Sequence, residues 1–110
     1  MKVYLLVQTD VQASGESYWK DIITCRKRAE QTAKKWIEES VSVKAWVQPG
    51  SKVLENIVEL LHPETKDIYA YCIAYPYVLQ EAKELDEKEQ NNFILATSEH
   101  SVCIHEFNLA

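Results

Sequence analysis

Val3, Leu5 and Val7 alternate with Lys2, Tyr4, Leu6 and Gln8, the two-residue period of a β-strand. The polar stretch Gln12-Ala13-Ser14-Gly15-Glu16-Ser17 has the residue types of a turn, and Tyr18 to about Thr24 reads as a second strand. The chain should therefore open with a hairpin. From Arg26 the period changes to that of a helix. Ala29, Ala33, Trp36 and Ile37 share one face over Arg26–Ser40, with Thr24 as the expected N-cap. On the outer side, Arg26, Glu30, Lys34 and Glu38 form a ladder of alternating charge at i, i+4 spacing.

Val41, Val43, Ala45 and Val47 alternate again, predicting a strand that stops at Gln48-Pro49-Gly50. Two readings compete for the next segment. Val53, Leu54, Ile57, Val58 and Leu61 suit a helix capped by Ser51 and ended by Pro63, which is the favoured reading. Alternatively, Ile57 to Leu61 and the turn-like His62-Pro63-Glu64-Thr65-Lys66 lead a hairpin into Asp67. Ile68 to Val78 is the most strand-like stretch of the chain. Asp86 and Glu89 have capping-box spacing and predict a helix from about 87 to 97. A hairpin joining Phe93–Thr97 to Val102–Phe107 is the alternative. Val102 to Leu109 closes the chain as a strand.

These elements predict one α+β domain over residues 1–110, a mostly antiparallel sheet of four to five strands with two to three helices packed mainly on one face. Ala70, Cys72 and Ala74 are small, as a sheet face must be where a helix lies close. The other face of that strand would carry Tyr69, Tyr71, Ile73, Tyr75 and Tyr77. Tyrosine joins a large apolar area to a polar tip, a composition enriched at interfaces. Tyr69, Tyr71, Tyr75 and Tyr77 are therefore the candidate binding residues, for a protein partner or for self-association. An equal alternative is a layer of core beneath the Glu81–Thr97 segment. A weaker one is stacking of unpaired bases.

Charge changes the picture next. The net charge is −5, unevenly placed: residues 1–55 hold nine Lys/Arg against seven Asp/Glu, residues 56–110 three against ten. An acidic excess disfavours tight binding to a phosphate backbone. It suits solubility or a basic protein partner. The run Arg26-Lys27-Arg28, with Lys34 and Lys35, and the acidic stretch Glu81, Glu84, Asp86, Glu87 and Glu89 both read first as solvated surface.

The longest nearly apolar stretch, Tyr69 to Leu79, is 11 residues and includes Pro76. A membrane span needs about 20, so no membrane segment is expected, and the first residues lack a signal-peptide pattern. Cys25, Cys72 and Cys103 are an odd number without a Cys-x-x-Cys pair, which fits a reducing compartment, the cytoplasm.

Catalytic and metal chemistry find little support. Cys103 and His105 point the same way on a strand, and with Cys72 and His62 or His100 would form a zinc set, but without paired ligand spacing. Glu106 falls on the other face, so Cys103, His105 and Glu106 do not make a triad. Two glycines in total leave no material for a phosphate-cradling loop. No cofactor, metal or catalytic residue is expected.

Three segments carry a resemblance: Lys2-Val3-Tyr4-Leu5, then Arg26-Lys27-Arg28-Ala29-Glu30, then Ile104-His105-Glu106-Phe107-Asn108-Leu109. They resemble a loose group of small, mostly uncharacterised phage and bacterial proteins that share a strand–hairpin–helix start and a terminal strand. That group has no common activity, so the resemblance assigns no residue a role. It implies a mobile-element origin, where small acidic proteins often bind and block host proteins. The expected function is thus a non-enzymatic protein–protein interaction module, of the kind that inhibits a host system such as a defence nuclease. The alternative is a sheet protein binding a small ligand or single-stranded nucleic acid through its tyrosines.

Overall fold

The computed structural model describes residues 1–12, 15–47, 57–98 and 100–109. It is α+β. The elements run β1 (Lys2–Gln12), β2 (Gly15–Ile23), α1 (Arg26–Val47), β3 (Ile57–Leu61), β4 (Ile68–Ile73), α2 (Pro76–Ala82), α3 (Glu87–Thr97) and β5 (His100–Asn108). The five strands form one antiparallel sheet in the order β2-β1-β5-β4-β3.

The opening hairpin is present and longer than its periodicity suggested, pairing Tyr4 with Ile23 through to Gln12 with Gly15. Helix α1 begins at Arg26 as expected, but its first i→i+4 bond runs from the Ala29 N–H to the Cys25 carbonyl at 2.9 Å. Cys25, rather than Thr24, therefore occupies the cap position. The helix does not stop near Ser40. The strand expected over Val41–Val47 is instead helical backbone, continuous with α1. The i+4 row Ala29, Ala33, Ile37 continues in the sequence with Val41 and Ala45, so the helical period persists beneath the two-residue alternation.

Ile57–Leu61 is a strand, so the favoured helix is replaced by the hairpin reading over these residues; 51–56 lie outside the described ones. Five apolar-rich residues with two β-branched members do not separate helix from strand by period alone, and pairing with β4 decides. The turn is closed by the His62 N–H to the Asp67 carbonyl and the Lys66 N–H to the His62 carbonyl, both 2.9 Å. Lys66 sits there in the left-handed region, φ 62°.

The strand expected over Ile68–Val78 ends at Ile73. Pro76 opens α2, where its missing N–H costs no helical bond, and Tyr75 is the cap residue. Helix α3 covers the expected span, and the Asp86 side chain accepts the Glu89 N–H at 2.9 Å.

Helices cover both faces rather than lying mainly on one. On the first face, Ala29, Ala33 and Ile37 of α1 are fully buried against Tyr4, Leu6, Tyr71, Ile73, Val102 and Ile104, with Trp36 half-buried beside them. On the second, Val78, Ala82 and Ile94 of α2 and α3 pack on Leu60, Ala70, Cys72 and Ala74. The small residues of β4 do lie where helices come close, as their size predicted.

Candidate binding surfaces

The four tyrosines do not form one stripe. Register shifts between Leu60 and Leu61, opposite Tyr69. Such a bulge sends two successive residues to the same side, so Tyr69 and Ala70 both join the α2–α3 cluster while Tyr71 joins the α1 cluster. Tyr71 is only 3% exposed, and burial pushes its phenol up to about 12, with Glu59, Glu30 and Glu38 adding to the shift. Tyr75 and Tyr77 lie beyond the strand. They are exposed and stacked on each other, ring centroids 5.8 Å apart. Sequence alternation missed this division because both a bulge and a proline interrupt the two-residue period.

Cys103 and His105 share a face of β5, as alternation predicted, opposite Val7 and Leu5 respectively. Their surroundings differ: Cys103 packs against the α2–α3 cluster and His105 is exposed. Burial pushes the Cys72 thiol up to about 12, reinforced by Cys103 and opposed by a hydrogen bond with Ser98. Burial likewise raises Cys103. Both stay protonated at neutral pH, the unreactive form of a thiol. Among the described residues, no group of three or more His, Cys, Asp or Glu is placed to hold a metal ion.

Arg26 serves as a structural clamp. β4 pairs with β5 only from Ala70 to Cys72, while β5 continues along β1 to Asn108, so the sheet splits at one end. Arg26 spans that split. Its Nη1 donates to the Ile68 carbonyl at 3.3 Å and its Nη2 to Glu106 at 3.4 Å. Its guanidinium also lies 5.0 Å from the centre of the Tyr4 ring. Burial alone would lower its pKa, but Asp67 and Glu106 outweigh that and raise it. The expected Arg26–Glu30 pair is present at 3.5 Å. The first cation of the basic run is thus drawn into the sheet, while Lys27, Arg28, Lys34 and Lys35 are exposed.

A cleft of about 640 Å³ opens at the same split. Its walls are tied into the fold: His62 stacks on Tyr69 with centroids 4.5 Å apart, and the Asn91 amide donates to the Leu61 carbonyl at 2.8 Å. Opposite charges from Arg26, Lys88, Glu64 and Glu106 line it together. That mixture selects no single ligand charge.

The most distinctive surface is one the alternation contained but did not single out. The α2–α3 layer covers β3, β4 and part of β5. On the same face, β1 presents Val3, Leu5 and Val7, paired with Phe107, His105 and Cys103 of β5 and, for Leu5, with Ile22 of β2. Val3, Leu5, Val7, Ile22 and Phe107 belong to neither buried cluster. Ile22 is 65% exposed and Phe107 50%. The signal was present in the sequence: an alternating strand with one wet face should carry polar residues there, and β1 is apolar on both.

No protein-family model, curated protein or solved structure matches the chain. Among the described residues, no helix is long and apolar enough to cross a membrane.

Proposed function

We propose that the chain is a non-enzymatic protein-binding module whose docking surface is the half-sheet of Val3, Leu5, Val7, Ile22 and Phe107. The observation that supports this reading is the exposure of Ile22 and Phe107 beside a strand that is apolar on both faces. Contiguous apolar surface rimmed by polar residues marks interaction sites on soluble proteins. Burying it yields about 25 cal/mol per Å² of apolar area, the main favourable term in most protein association. Three free cysteines suit a reducing cytoplasm as the setting.

Tyr75 and Tyr77 extend the apolar exposure elsewhere, but as one stacked pair they offer a smaller anchor. A photo-crosslinking residue placed at Ile22 in the native cell tests the proposal. It should give a discrete protein adduct that Leu5→Asp removes, whereas a probe at Glu81 should give none with that dependence. Absence of any adduct from position 22 would sink the half-sheet as a docking surface.

A further inference from the structure

We infer that the cleft at the split of the sheet takes a short extended peptide, which adds as a strand to the open edge of β5. This site lies apart from the half-sheet of Val3, Leu5 and Val7 and does not rest on that docking reading.

Hydrogen bonding fixes which edge is open. At the chain ends the Leu109 N–H donates to the Met1 carbonyl at 2.7 Å, and the Met1 amino group donates to the Leu109 carbonyl at 3.2 Å. In an antiparallel ladder such doubly bonded pairs alternate with unbonded ones. The unbroken register between β1 and β5 therefore gives the backbone groups of Phe107, His105 and Cys103 to β1. Those of Ile104, Glu106 and Asn108 face the other way, towards β4. Yet β4 pairs with β5 only from Ala70 to Cys72, opposite Cys103 to Ser101. Among the described residues, no strand lies beside Glu106 and Asn108 on that side. An unpaired edge is a template for another strand, and extended peptides bind sheets by supplying one.

Unlike the outer edges of β2 and β3, this edge opens into a cavity between strands. The volume of about 640 Å³ falls in the range of roughly 300–1,000 Å³ usual for ligand sites. Its lining decides between ligand classes. Arg26 is occupied by Glu30, Glu106 and the Ile68 carbonyl, and Lys66 by Glu87 at 3.3 Å. Lys88 and Glu64 are exposed at the rim with opposite signs. No charge of either sign dominates to hold an ionic ligand. A peptide backbone is neutral and offers N–H and C=O groups in alternation, the complement of the Glu106 edge. Of its alternating side chains, those on the α2–α3 side meet the stacked rings of Tyr69 and His62, which favours an aromatic residue there. About five residues, at about 3.4 Å each, cover β5 from Ile104 to Asn108.

A pool of dye-labelled, end-capped pentapeptides with an aromatic residue fixed at the centre tests this by fluorescence anisotropy against the full chain. At least one member should bind saturably below about 1 mM. Methylating the backbone nitrogens of the best binder should separate two alternating sets, because only every second residue pairs with the strand it joins. One set should lower affinity about tenfold or more, and the other should change it little. Asn92→Trp, at an exposed position on the cleft wall, fills the cleft and should abolish binding with the circular dichroism spectrum unchanged. Glu64→Trp, in the exposed turn, carries the same test should that variant fail to fold. Ile22→Asp, on the half-sheet, should leave the affinity as it was. A pool with no saturable binder overturns the inference. So does binding indifferent to methylation of both sets or to the cleft-filling substitution. Binding lost in a folded Ile22→Asp chain overturns it as well, and moves the peptide to the half-sheet.

Discussion

The two halves of the sheet solve the same problem differently. β4 is covered on both faces, with Tyr71 and Ile73 under α1 and Ala70 and Cys72, followed by Ala74 just past the strand, under α2 and α3. Among the described residues, β1 is covered by a helix on one face only, by α1 over Tyr4 and Leu6, and Val3, Leu5 and Val7 on its other face are half-buried. The residues record the difference in an instructive way. Under α2 and α3, β4 presents the small side chains Ala70 and Cys72, whereas under α1 it presents Tyr71 and Ile73 and the helix supplies the small Ala29 and Ala33. The bare face of β1 is built of Val and Leu, a choice that water alone does not explain. Apolar character in a strand is thus no guarantee of intramolecular cover, and an uncovered example is the best pointer to intermolecular cover.

Neighbouring leucines give the largest test of that contrast. Leu6 is fully buried and Leu5, next in the chain, faces the bare side. Leu6→Ala should cost about 2–5 kcal/mol, a buried transfer term plus a cavity. Leu5→Ala should cost about 1 kcal/mol in the monomer, since only part of its area leaves water on folding. Chemical denaturation of both variants at low protein concentration checks this. Equal losses would mean that the two faces of β1 are covered alike, and the comparison would fail.

High pH should attack the doubly covered half. Cys72 has a folded pKa of about 12 against an ordinary 9.0, and Tyr71 about 12 against 10.0. Below the lower value both folded and unfolded states keep the proton, and stability does not depend on these groups. Between the two values the unfolded chain releases its proton while the folded chain holds it, so stability falls as pH rises. Across the full interval Cys72 contributes a loss of at most about 4 kcal/mol. Urea midpoints measured from pH 8.5 upward, to about pH 11, should therefore decline less steeply in Cys72→Ala than in the unsubstituted chain. Parallel slopes would show that the Cys72 thiol is not held protonated by burial.

Much of the fold was legible, and the failures have physical causes. The opening hairpin, the start of α1, α3 with its Asp86 cap and the terminal strand each had a period or a cap of their own. The end of α1 did not, because Val41, Val43, Ala45 and Val47 satisfy two periods at once and β-branched residues favour the strand. Ile57–Leu61 was ambiguous for the same reason and was decided by its partner strand, a contact no local window contains. The tyrosine set was misread as one face because a bulge at Tyr69 reverses sides and Pro76 turns the strand into α2. The bare half-sheet could have been noticed in Val3, Leu5 and Val7 beside Tyr4 and Leu6. What alternation cannot reveal is which of two apolar faces the rest of the chain will cover.

The smallest expected effect separates the two halves most cleanly. Asp86 caps α3 by accepting the Glu89 N–H, and α3 supplies Ile94 to the cluster that covers β4 but nothing to the α1 cluster. Removing a capping carboxylate typically costs about 1 kcal/mol. Asp86→Ala should therefore loosen α3 first. If the two clusters are separate layers, as their membership indicates, the loss should appear locally: faster amide exchange in α3 and at Ser98, whose hydroxyl donates to the Ile73 carbonyl at 2.9 Å, with α1 protected as before. Asp86→Asn, which keeps an acceptor at the cap, should restore most of the protection. Exchange that quickens equally in α1 and α3 would mean that the sheet transmits the loss, and that its singly and doubly covered halves open as one unit.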